Sequence, residues 1–147
     1  IVIAPTDGKE NLARAKDVFS WIDPDFVGYG CDKEASPTKE MPVEVHEMVK
    51  DGDFRQIFGS FNAELDALCF TQAQIKQFVK DHRNWLRTEG YATFFLFKEG
   101  EKVFVAYVYL YSNGRLEVNV RRFDNDIVCH AGYRHRVVVP QLGTVVA

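Results

Sequence analysis

The chain is poor in the features that mark several familiar protein classes. It has three cysteines, Cys31, Cys69 and Cys129, widely separated and without a C-x-x-C pair. An odd number at such spacing excludes a disulfide framework, so the thiols read as small core or surface residues and a reducing cytoplasm is the expected compartment. No apolar run approaches the roughly 20 residues that cross a bilayer, so no membrane partner is expected. Basic charge is not in excess: Lys and Arg total 18 against 21 Asp and Glu, a formal net charge of −3. Dedicated nucleic-acid binders are usually basic, which makes nucleic acid an unexpected partner. There is no G-x-S-x-G elbow, Walker loop or dinucleotide fingerprint. His46-Glu47 opens an H-E-x-x pattern, but Lys50 stands where a zinc-protease helix needs its second histidine.

What is present is core-forming material. Of 147 residues, 46% are hydrophobic, and twelve phenylalanines raise the aromatic share to 14%. That composition belongs to a globular chain with a ring-rich core. The length suits one domain, with a helical part over about residues 9–86 and a sheet over about 91–139.

The helical reading rests on apolar spacing. Leu12, Ala15, Phe19 and Ile22 repeat at the helical period and predict a helix over Lys9–Ile22, ended by Asp23-Pro24. Residues 26–42 hold two glycines and two prolines without a period and read as a loop. A short helix is predicted over Glu44–Lys50. Asp53 then caps a stripe of Phe54, Ile57, Phe58, Phe61, Leu65 and Leu68, interrupted at Gly59. Thr71-x-x-Gln74 matches a capping box and opens another helix running to about Asn84.

From Tyr91 the period becomes two. Turns are expected around Gly100 and at Asn113-Gly114, the second a type I′ turn that pairs Tyr111 with Leu116, Tyr109 with Val118 and Tyr107 with Val120. That register buries the tyrosines and puts Glu117, Asn119 and Arg121 on the opposite, wetter face. Val137–Val139 supply a last strand. The predicted fold is α+β, with N-terminal helices on one face of a C-terminal antiparallel β-meander of about four to five strands. Helices followed by a meander resemble the order in small bacterial ribonuclease toxins, whose sheets end in basic residues. The acidic balance and the longer helical half depart from that pattern.

The candidate site is the polar cluster at the strand ends. Arg121, Arg122, Arg134 and Arg136 offer planar donor forks for carboxylate or phosphate. With Glu117 and Asn119 they form the predicted contact surface of a non-enzymatic binding module for a protein or an anionic ligand. The alternative is an enzyme acting on a phosphate-containing substrate, with His130 or His135 as acid–base group and Arg121, Arg122 or Arg136 stabilising the developing charge. The two readings are separated by geometry: His130 and His135 pointing apart, or Arg121 and Arg136 on opposite faces, removes the enzyme reading, whereas convergence on a concave pocket weakens the binding-only one. Asp124-Asn125-Asp126 lacks the glycine and glutamate of a calcium loop, and Cys129 and His130 are neighbours that point apart in a strand. No metal and no cofactor is therefore expected. The aromatic content permits a homodimer.

Overall fold

In the computed structural model, residues 1–142 are described. Eight strands form one mixed sheet: β1 (Val2–Ile3), β2 (Trp21–Ile22), β3 (Met41–Glu47), β4 (Cys69–Phe70), β5 (Ala92–Glu99), β6 (Lys102–Leu110), β7 (Leu116–Arg122) and β8 (Arg136–Pro140). Their spatial order is β1-β3-β8-β5-β6-β7-β2, with β4 also on β5. The helices are α1 (Asp25–Gly28), α2 (Phe54–Gly59) and α3 (Gln72–Asp81).

This corrects the predicted α+β meander under N-terminal helices. Four strands lie in the N-terminal half, and β2–β7, β4–β5 and β5–β8 are parallel pairs. The predicted Lys9–Ile22 helix is a single 3-10 turn, Leu12–Arg14, followed by β2. Its apolar residues Leu12, Ala15 and Phe19 are buried nonetheless. The predicted Glu44–Lys50 helix is the second half of β3, because Val43 to Glu47 pair antiparallel with Pro140 to Arg136. A segment this short satisfies either period, and a partner strand far along the chain settles which one forms. The helices also cover both faces rather than one. The similarity to ribonuclease toxins, which rested on helices followed by a meander, lapses with that order.

The capping reasoning carries through. Asp53 and Gln56, and Thr71 and Gln74, form reciprocal capping boxes that start α2 and α3. Gly59 ends α2, and Leu65–Leu68 forms a separate 3-10 turn.

β5 is central and buried on both sides from Ala92 to Phe97, a run that is apolar apart from the buried Thr93. Phe95 and Phe97 face a first core layer with Ala106, Val108, Val118 and Val120, covered by Leu12, Phe19, Phe26 and α3. Phe94 and Leu96 face a second layer with Val105, Tyr107, Val137 and Val139, covered by Phe54, Ile57, Phe58 and Leu68.

The β6–β7 hairpin keeps its turn but not its predicted register. The Tyr111 N–H donates to the Arg115 carbonyl (3.0 Å) and the Gly114 N–H to the Tyr111 carbonyl (2.9 Å). Of the two central residues of the predicted turn, Gly114 has a positive φ (+86°) and Asn113 does not. The loop is therefore a turn over Tyr111–Gly114 with a left-handed glycine bulge, not type I′. One extra loop residue shifts the pairing to Leu110–Leu116, Tyr109–Glu117, Val108–Val118 and Tyr107–Asn119. A shift of one residue exchanges the faces of one strand against the other. The tyrosines thus share a face with Glu117, Asn119 and Arg121 instead of opposing it. No helix among the described residues is long and apolar enough to cross a membrane.

Candidate functional site: an aromatic cleft under the β7–β8 crossing

β7 and β8 are separated by β6 and β5, so their connection, residues 123–135, has to cross the second face of the sheet. It is held at three points. Gly52 and Cys129 exchange backbone hydrogen bonds (3.1 and 2.8 Å). Asp51 Oδ1 accepts the Ala131 N–H at 2.8 Å. Arg87 Nε donates to the Tyr133 carbonyl at 3.2 Å, and its guanidinium lies over Tyr91, whose ring stacks on Tyr133.

Beneath the crossing is an open cleft of about 280 Å³. Tyr107, Tyr109 and Phe94 form its floor, Ile127, Val128 and Tyr133 its rim, and Arg121, His130 and His135 its polar groups. That volume sits just below the roughly 300–1,000 Å³ of pockets for drug-sized ligands, so it suits something small. Arg121 Nε donates to Tyr107 Oη (3.1 Å), and its guanidinium lies over the Tyr107 ring. No carboxylate among the described residues is within ion-pair distance of Arg121.

The histidines stand on either side of Tyr133. The His130 and His135 rings are 6.0 and 5.8 Å from its centre, both edge-on. His130 Nδ1 lies 3.5 Å from Asp51 Oδ2. The Ala131 N–H, and secondarily His130, hold the Asp51 carboxyl below the usual range. His135 Nδ1 accepts the Ala92 N–H at 3.0 Å, so in the neutral ring the proton sits on Nε2. Burial pushes the Tyr109 hydroxyl up to about 12, raises Tyr107 against the opposing Arg121 bond, and raises the Cys129 thiol. All three stay neutral near pH 7. Burial also raises Cys31 and Cys69, each to about 12, which keeps both thiols protonated near pH 7.

The predicted cluster is divided by the fold. Arg121 lines the cleft. Arg122 projects to the other face, over Tyr29. Arg136 also leaves on the first face, where its Nη1 donates to the Trp85 carbonyl at 2.8 Å. Arg134 is an exposed left-handed residue after a 3-10 turn (φ +54°). Glu117 is engaged internally, accepting from Tyr111 Oη (3.0 Å) and Arg115 Nη2 (2.7 Å). Asn119 lies opposite Tyr107. Arg121 and Arg136 therefore cannot serve one centre, whereas Arg121, His130 and His135 do converge. Sequence reasoning missed Tyr107 and Tyr109 because the assumed turn gave the wrong register. It missed Tyr133 and Asp51 because only the crossing brings them there.

A larger concavity, about 510 Å³, lies on the other side of Asp51 between β3 and α2. Its walls include Met48, Ile57, Phe61 and Val137. There His46 pairs with Glu44 and Gln56 is engaged in the capping box of α2, while the side chains of Glu47 and Lys50 are in no hydrogen bond or ion pair among the described residues. The lining of this larger concavity holds one phenyl ring, Phe61, whereas the smaller cleft gathers Phe54, Phe94, Tyr107, Tyr109 and Tyr133 around Arg121.

Comparison of the chain with family models, with curated proteins and with solved structures returned no match.

His135 makes stability depend on pH. Burial lowers its pKa below the usual 6.5, so the unfolded chain takes up a proton that the fold resists. This contribution to stability is intact above pH 6.5 and falls as the pH drops from there through the folded pKa. Urea midpoints between pH 8 and 5 are expected to decline less in His135→Asn, whose amide oxygen can still accept from Ala92. Parallel declines in both proteins would show that His135 is not the source.

Proposed function

We propose that the chain is a non-enzymatic binding module whose ligand is a small aromatic anion held in the cleft under residues 123–135. One observation carries this reading: the Arg121 guanidinium, without an ion-pair partner among the described residues, stands among the rings of Tyr107, Tyr109 and Tyr133. Aromatic walls favour a planar ring, and a partly desolvated guanidinium favours a carboxylate or phosphate oxygen. The tethers at Gly52, Asp51 and Arg87 support a cleft shaped before binding, which lowers the ordering cost. The predicted contact surface is thereby narrowed to Arg121 and the aromatic groups around it.

The test is a titration of isotope-labelled protein with 3-phenylpropionate, a ring bearing one carboxylate, followed by amide chemical shifts. Saturable changes are expected at Ala92, Tyr107, Tyr109 and 129–135. Arg121→Ala is expected to weaken binding by about tenfold or more, the loss of a charge-assisted hydrogen bond. Absence of saturation, or an unaffected Arg121→Ala, would defeat the proposal.

The alternative, an enzyme acting on a phosphate-containing substrate, draws support from the carboxylate of Asp51 behind His130. It leaves Arg121 alone to stabilise charge. Release of nitrophenolate from bis(4-nitrophenyl) phosphate that disappears in His130→Ala would favour it over the binding module.

A further inference from the structure

We propose that the ligand carries a zwitterionic head beside its ring, an ammonium next to a carboxylate, as in an aromatic α-amino acid. This rests on the cleft reading above and specifies its ligand. The basis is a second concavity, about 410 Å³, that shares Tyr107 and Arg121 with the aromatic cleft and continues around the outer edge of β7. Because those two residues belong to both walls, a ligand seated on the Tyr107 ring has its substituents beside Arg121, at the mouth of the second recess.

The recess is polar and carries both signs of charge. Asp23, Asp25 and Asp124 line it together with Arg121 and Arg122. The Asp23 carboxylate is used by the fold, accepting the N–H groups of Asp25 (2.9 Å) and Val120 (3.3 Å). The Asp25 and Asp124 side chains are in none of the hydrogen bonds or ion pairs among the described residues. Arg121 is bound through Nε alone, so its terminal nitrogens keep their donors, and Arg122 rests on the Tyr29 ring.

Three ligand chemistries can be weighed against these walls. A phosphate dianion gains the two guanidiniums but meets three carboxylates, and like charges brought together in a cleft are unfavourable. A neutral ring leaves the polar recess unused. A zwitterion pairs its carboxylate with Arg121 and its ammonium with Asp25 or Asp124, so each charge meets its opposite. The apolar cleft takes the ring. Space is consistent with this division, since about 280 Å³ accepts a single ring system and the head lies outside it.

The experiment is calorimetric titration of the full chain with L-phenylalanine, L-tryptophan, 3-phenylpropionate, 2-phenylethylamine and phenyl phosphate. At least one amino acid is expected to bind about threefold or more tightly than the single-charge compounds, the size of an ion pair to an exposed carboxylate. Asp25→Asn combined with Asp124→Asn is expected to abolish that advantage while leaving 3-phenylpropionate binding intact. Both carboxylates are exposed, so the double variant should fold, which its circular dichroism will verify. If 3-phenylpropionate or phenyl phosphate binds as tightly as the amino acids, the zwitterionic head is wrong and the aromatic-anion cleft stands. If none of the five saturates the protein, both proposals fail together. Preference for 2-phenylethylamine, unaffected by Arg121→Ala, would overturn both by showing a cation site.

Discussion

Phe95→Ala is expected to destabilise the protein by about 3–5 kcal/mol, the usual cost of emptying a buried phenylalanine site. Phe95 is fully buried on the central strand β5, opposite Ala106 of β6. Its ring meets Phe78 of α3 edge-on at 5.3 Å and Phe70 of β4 at 6.2 Å. It therefore joins the helix, the short parallel strand and the sheet centre in one contact. The small residue opposite, Ala106, has no side chain that can swing into the vacancy. Domains of this size are typically stable by about 5–15 kcal/mol, so the variant is expected to lie near the edge of folding. Urea denaturation measures the loss, with Val49→Ala, 84% exposed, as a nearly silent control. A loss below about 1 kcal/mol would mean that this face of β5 is not the packed centre of the first layer.

Gln72→Leu is expected to cost about 2–5 kcal/mol although it keeps the side-chain volume and adds apolar surface. The reason is that Gln72, buried at the start of α3, joins two distant segments. Its Oε1 accepts the Leu12 N–H and its Nε2 donates to the Cys31 carbonyl, both at 2.9 Å and both buried. Leucine strands both main-chain groups away from water, and each unpaired group costs about 1–3 kcal/mol. Hydrogen exchange separates this cause from a packing defect, since the Leu12 amide should lose protection beyond what global destabilisation explains. Wild-type stability in Gln72→Leu would show that Leu12 and Cys31 find other partners. The amide can do this work because the Thr71–Gln74 capping box fixes where α3 begins, and hence where its first residue points.

These two residues also show where sequence reasoning holds and where it stops. Phe95 is legible as a strand residue, since it lies in the β-forming run Phe94–Phe97, although the period of two read from Tyr91 assigned that strand one buried face where the fold buries both. Gln72 is not. A glutamine in the first turn of a helix has the signature of a solvated helix former, and nothing local marks the loops it will meet. The same divide separates α3, delimited by its capping box, from β3, which took strand form against a helical expectation because β8 offered a ladder 90 or so residues away. Two-residue strands such as β2 and β4 have no period of their own. They exist because β7 and β5 present unpaired edges to them.

The candidate site divides in the same way. Arg121, His130 and His135 were visible as a polar cluster, but Arg122 and Arg136, equally basic, belong to the other face. Strand alternation assigns faces only once a register is known, and the Asn113-Gly114 dipeptide is compatible with more than one loop length. A single bulged glycine therefore decided whether the tyrosines were core or site.

Taken by itself, the sequence determined the caps of α2 and α3, the strands from Ala92 to Arg122, the positions of their turns and most of the apolar residues that fill the core. Those features follow from interactions within a few residues of each other. The tertiary structure alone decided the mixed sheet order, the strand character of β3, the hairpin register and the crossing that carries Cys129, His130 and Tyr133 over Tyr107 and Tyr109. Each of these depends on pairing between segments far apart along the chain, where the free energy lies in contacts that no local pattern records.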